Sequence, residues 1–153
     1  AITDSNEHNG CMRMWSGSHK DNLKDHDQMF NEGNLLTRGQ TVNNVPIDET
    51  TPLILKAGQM SLHHPTVVHG SDLNKSNDRR IGFVIQSYIG TDVKQVLGKN
   101  SVQLARGIDE FNFHKTINRP KSLMDKNDLE IKKKENDNLQ AIFYAGSQKK
   151  GEY

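Results

Sequence analysis

The sequence predicts a mainly β fold, a sandwich or barrel of short strands, ending in a single C-terminal helix. Three observations carry that prediction. Short apolar runs recur between Gly, Pro and Asn punctuation through most of the chain. The stretch from Met60 to Ile89, MSLHHPTVVHGSDLNKSNDRRIGFVIQSYI, largely follows the two-residue period of strands. A sustained helical signature appears only from Asn127 onward.

Taken in order, Asn9-Gly10 is a turn signal, and its flanking residues predict a hairpin whose second strand is Cys11 to Trp15. Gly17-Ser18-His19 closes it, and His19 reads best as a turn residue bonded to backbone. Residues 20 to 34 are polar and without period, a surface excursion. Within them Asp25-His26-Asp27 carries ligand-type side chains, but a solvated charge cluster is the simpler reading. Leu35 to Thr37 and Gln40 to Val45 read as short strands, and Pro46 to Pro52 as a loop. Leu53 to Ala57 alternates weakly before a tight turn at Gly58-Gln59.

The organising stretch follows. In Thr66 to Ser71 the residues Val67, His69 and Ser71 share one face of a strand. After a loop of turn formers, Asp72 to Asp78, residues Arg80, Gly82, Val84, Gln86 and Tyr88 line one face of another, with Ile81, Phe83, Ile85 and Ile89 on the other. A loop folded symmetrically about Asn74 and Lys75 would pair His69 with Arg80 across an antiparallel ladder, Cβ atoms roughly 5 Å apart. Arg79 would then point away. Of His63 and His64 one must face inward, and a hydrogen-bonded strand histidine is its commoner role. Val93, Val96 and Leu97 suggest a turn or two of helix. In the tail, Asn127 with Glu130 forms a capping-box pattern and Gly146 a stop. Leu139, Ile142 and Phe143 make an apolar stripe, and Lys132-Lys133-Lys134 the solvent face.

Composition narrows the class. A chain of 153 residues with 33% apolar content and a mean hydropathy of -0.79 is one lean domain. Its 20 basic and 19 acidic residues leave a net charge of +1, so nothing points to nucleic acid. The single cysteine, Cys11, excludes an intramolecular disulfide and suits a reducing compartment, so a cytoplasmic location is expected. No apolar run approaches membrane-spanning length.

The run VVHGS, then Asn74, then Arg79-Arg80-Ile81-Gly82-Phe83 resembles the distal half of a phytanoyl-CoA dioxygenase family domain. NGCMRMWSGSHK at 9 to 20, AGQMSLHHP at 57 to 65 and SVQLARGIDEF at 101 to 111 resemble further segments of it, so the likeness runs over residues 1 to 113. It implies a double-stranded β-helix, a jelly-roll or cupin-like barrel, over 1 to 113; the capping pattern and polar composition of 114 to 153 make that stretch an extension, helical over 128 to 145. It also implies an Fe(II)- and 2-oxoglutarate-dependent oxygenase, in which two imidazoles and a carboxylate hold the metal. On that resemblance His69 is the distal iron ligand, Arg80 the clamp on the 2-oxoglutarate carboxylate, and Ser71 its helper. The chemistry is sensible, since guanidinium grips a carboxylate through two parallel hydrogen bonds.

The family's first two ligands, a His-x-Asp pair, precede the NGCMR-like stretch, and this chain opens there. It is therefore expected to be the C-terminal portion of a longer protein, its barrel incomplete at the N-terminus, holding little iron and inactive by itself. The intact protein would hydroxylate a small or carrier-linked substrate while 2-oxoglutarate becomes succinate, or halogenate it if a small residue replaces the family's carboxylate. Two other readings stay open: a cupin-like metal-dependent isomerase using His63 or His64 with His69, and a non-catalytic barrel fragment. Open strand edges are expected to drive self-association.

Overall fold

The computed structural model describes residues 1–21, 23–30, 36, 39–85 and 88–147. Among them lie β1 (Met12–Trp15), β2 (Asp27–Gln28), β3 (Gln40–Thr41), β4 (Thr50–Pro52), β5 (His69–Ser71), β6 (Ser101–Val102), β7 (Lys115–Thr116) and one helix, α1 (Lys126–Phe143). Short 3-10 turns occupy Ser18–Asp21 and Ile47–Glu49. The chain forms two compact units, one of Ala1–Asn31 and Gly39–Ser87, the other of Glu32–Arg38 and Tyr88–Tyr153.

The first unit is built on β1. It is the centre of a three-stranded antiparallel sheet in the order β4-β1-β5. Arg13 stands opposite Pro52 on one side and Gly70 on the other, and Met14 opposite Thr51 and His69. The chain enters β1 through a turn locked by two amides. The Asn6 backbone N–H donates to Asn9 Oδ1 (2.8 Å), the Asn9 N–H returns to Asn6 Oδ1 (3.1 Å), and Asn9 Nδ2 donates to the Asp4 carbonyl (2.8 Å). Gly10 completes the turn at φ 74°, where a Cβ would lie 2.5 Å from the Asp72 carbonyl oxygen. Only glycine meets both demands.

Arg13 then ties three segments together. Its Nε donates to Thr50 Oγ1 (2.8 Å) and Nη2 to the Thr50 carbonyl (3.1 Å), while Nη1 meets Glu7 at 3.3 Å and Asp72 at 3.9 Å. Ser18, 3% exposed, reaches β5 from behind: its Oγ accepts the Val68 N–H at 2.8 Å. The apolar centre is small, with Cys11 and Val67 its buried members among the described residues.

Several expectations are corrected here. The Asn9-Gly10 turn forms, but no hairpin does; Ser5 bridges Leu55 instead, and β1 takes its partners from far along the chain. The expected loop at 46 to 52 ends in strand β4, because its Thr-Thr pair is β-branched and β1 offers it a free edge. The strand expected over Gln40 to Val45 is the two residues of β3, paired with β2 from the polar excursion. Leu35 to Thr37 lies largely outside the described residues.

The strand at 66 to 71 shortens to β5, and the segment from Arg80 to Ile85 joins no ladder. The Ile81 carbonyl accepts the N–H groups of Ile2 (2.9 Å) and Thr3 (3.2 Å), while Thr3 Oγ1 bonds the Arg79 carbonyl and the Ile81 N–H. Backbone groups that a ladder would need are thus spent on residues 2 and 3. Alternating sequence alone does not make a strand without a neighbour at the right height. Among the described residues no sheet closes into a barrel.

In the second unit β6 and β7 pair in parallel, Ser101 opposite Lys115 and Val102 opposite Thr116. The expected helical turn at 93 to 97 is absent. Helix α1 starts earlier than the sequence pattern suggested. Asp125 is its N-cap, with Oδ1 accepting the Asp128 N–H at 3.1 Å, so Asn127 lies inside the first turn. It ends at Phe143, and Gly146 follows at φ 72°. Leu139 and Ile142 are half-buried, Phe143 is exposed, and Lys132 to Lys134 face solvent.

Candidate active site

The three residues singled out by sequence lie together on and beside β5. His69 and Ser71 alternate along it, so their side chains leave the same face. Arg80 arrives from the segment anchored on Thr3, not from a paired strand, so the expected His69–Arg80 ladder is replaced by a different route. The strand-mate of His69 is Met14 of β1, and that of Ser71 is Met12. Yet the guanidinium reaches its target: Arg80 Nη2 donates to Ser71 Oγ at 3.2 Å. All three side chains are exposed rather than turned into an interior.

The imidazole of His69 has a defined chemistry. Its Nδ1 lies 2.9 Å from the Val67 carbonyl oxygen. A carbonyl can only accept, so Nδ1 carries a proton and any ligation falls to Nε2. That is the tautomer a metal-binding histidine needs, with the other ring nitrogen held by backbone.

Sequence reasoning left the neighbouring histidines undecided, and the geometry sorts them into two ring pairs. His63 lies against His69 with centroids 5.3 Å apart, and His64 against His19 at 5.4 Å. Neither His63 nor His64 is in a strand or faces inward. Thr66 fixes His64, its Oγ1 2.8 Å from Nδ1. The adjacent doublet was the signal: two successive side chains diverge and meet different neighbours.

One imidazole with a free Nε2 fits an iron ligand, and a free-standing guanidinium beside a hydroxyl fits a carboxylate anchor. The set is partial. Among the described residues no three His, Cys, Asp or Glu side chains come close enough to hold a metal ion. Asp25 and His26 are exposed, and Asp27 is bonded to Asn43, so that triplet is a surface cluster. Cys11 is 2% exposed, and its burial pushes the thiol above its ordinary pKa, which keeps it a protonated bystander.

The fold is shared with a known protein. The chain superposes on the apo form of a non-heme monooxygenase, ThoJ, with a TM-score of 0.73 and 24% identity, over 94% of this chain and 50% of that one. The two chains thus share their fold over that stretch. The phytanoyl-CoA dioxygenase family model matches residues 1–82, and the chain belongs to that family. A curated relative, the peroxisomal phytanoyl-CoA dioxygenase of Mus musculus, is 28% identical over 114 residues, 72% of this chain. The chain spans 33% of that relative's length.

Proposed function

We propose that this chain is part of an Fe(II)- and 2-oxoglutarate-dependent hydroxylase acting on a small or carrier-linked substrate. The observation that carries the reading is the Arg80–Ser71 contact two residues from His69. A hydroxyl and a guanidinium side by side make a carboxylate anchor beside an imidazole whose Nε2 is free. Bound iron would supply the activation of dioxygen. His69 contributes one ligand through Nε2, and the Val67 carbonyl holds its ring in the ligating tautomer. Arg80 binds and orients the far carboxylate of 2-oxoglutarate, with four of its five N–H donors beyond the Ser71 bond to offer. Ser71 Oγ, accepting from Arg80, keeps its own proton to donate to the same carboxylate.

The remaining ligands, on this reading, come from a His-x-Asp pair outside residues 1 to 153, in a barrel completed by the same segment. The exposure of Phe83 (81%) and Val84 (86%) supports it, because apolar side chains in a row call for a cover. The isomerase reading could use His63 with His69 but leaves Arg80 and Ser71 without a role. A free, buried Cys11 supports a cytoplasmic setting.

The test is made on the longer protein. Arg80→Ala should weaken 2-oxoglutarate binding about tenfold or more, the worth of a charged hydrogen bond, while iron affinity changes little. Unchanged co-substrate affinity would remove Arg80 from the site. His69→Ala should abolish metal binding, and the 153-residue chain alone should retain no iron on desalting.

A further inference from the structure

The second unit carries a cleft of about 320 Å³ where α1 meets the β6–β7 pair. It is lined by Lys99, Lys115 and Lys134 together with Asn100, Ser101 and Glu135. The three ammonium groups come from three separate segments, and among the described residues none is in an ion pair. The one carboxylate present is already committed. Glu135 Oε2 accepts the Ser101 N–H at 2.9 Å and Oε1 accepts the Ser101 hydroxyl at 2.8 Å. Three lysines therefore line the cleft beside one carboxylate, which is held by Ser101 first and by the charges of Lys115 and Lys134 after it.

A second observation is independent of the charges. Asn100 Oδ1 is buried without any hydrogen-bond donor. A buried acceptor left unpaired is costly. Asn100 is itself one of the residues that line the cleft, and the terminal amide torsion of asparagine is broad.

We infer that this cleft binds inorganic phosphate: the hydrogen phosphate dianion, held by Lys99, Lys115 and Lys134, whose P–OH donates to Asn100 Oδ1. Lysine suits phosphate as a point charge. Near neutral pH phosphate carries about two negative charges, matching the excess of two in the cleft. Hydrogen phosphate also keeps one O–H donor. Sulfate has the same size and charge but no proton to give, and a site built around a buried acceptor rejects the partner lacking a donor.

The experiment titrates the 153-residue chain with inorganic phosphate, and separately with sulfate at equal ionic strength, following backbone amide shifts by NMR. Saturable shifts at Asn100, Ser101 and Lys134 with phosphate, and about tenfold or weaker binding of sulfate, are expected. Lys115→Gln with Lys134→Gln should weaken phosphate about tenfold or more, whereas Lys132→Gln, on the same helix but away from the cleft, should not. Circular dichroism checks that α1 survives in each variant, and Asn100→Asp, placing a charge there, is a second probe expected to abolish binding. Equal affinity for sulfate, or full affinity in the double variant with its helix intact, would overturn the assignment. So would binding confined to phosphatidic acid in phosphatidylcholine vesicles, with none to free phosphate.

Discussion

At the scale of single residues, the site rests on side chains that do no chemistry. Ser18 supplies the acceptor for the Val68 N–H, one residue before His69, from a position 3% exposed. Ser18→Ala leaves that N–H unpaired away from water, which should cost about 1–3 kcal/mol. Urea unfolding checks it, and a loss below a few tenths would show that Ser18 does not hold β5. Gly10→Ala should be at least as damaging, because a left-handed backbone and the Asp72 carbonyl both exclude a Cβ. Of these, only Gly10 was legible in sequence, as half of an Asn-Gly turn. Ser18 lay inside a family-like motif but gave no sign that it reaches across 50 residues. The nearness of Arg80 to Ser71 was legible, but through a paired ladder that the structure does not form. A loop of turn formers brings its two ends together whether or not they pair.

At the scale of elements, the sequence separated strand from helix better than it placed strand partners. Periodicity describes one segment's own faces, while pairing depends on which edge lies beside it. That is why β4 emerges from an expected loop and residues 80 to 85 stay out of every ladder. The helix was legible because its signals are local, and its cap falls two residues earlier, at Asp125, whose Oδ1 accepts the Asp128 N–H. Helix α1 is fastened to β6 through Glu135, and this gives a pH prediction. The Ser101 N–H, with its hydroxyl second, holds the Glu135 carboxyl below its ordinary 4.5. A depressed native pKa means the contact's contribution is complete above 4.5 and is lost as pH falls through the lower native value. The Ser101 amide shift should therefore titrate with a midpoint below 4.5, and Glu135→Gln should remove that transition. A midpoint at or above 4.5 would mean the carboxylate is not held by Ser101 in solution.

At the scale of the whole molecule, several motifs in order made the family legible, because such motifs fix chemistry and not merely surface. Closure of the barrel was not legible, since it depends on partners that no local pattern encodes, and the described residues form a sheet of three strands and two pairs. Among the described residues β4 and β5 are the edge strands of their sheet, so the chain should self-associate, seen as a sedimentation coefficient that rises with concentration. The final prediction concerns the longer protein. A carboxylate joining His69 in the ligand set would help to hold iron, whose chemistry would then deliver hydroxyl to the substrate. A small residue in that place would leave room for halide, and Arg80 with Ser71 would serve 2-oxoglutarate equally in either case. We expect the carboxylate. Product analysis with a candidate substrate, with and without chloride, should then show the same hydroxylated product and one succinate for each turnover. A chlorinated product would overturn the hydroxylase while leaving the fold and the Arg80 anchor intact. Failure to convert 2-oxoglutarate at all would overturn both.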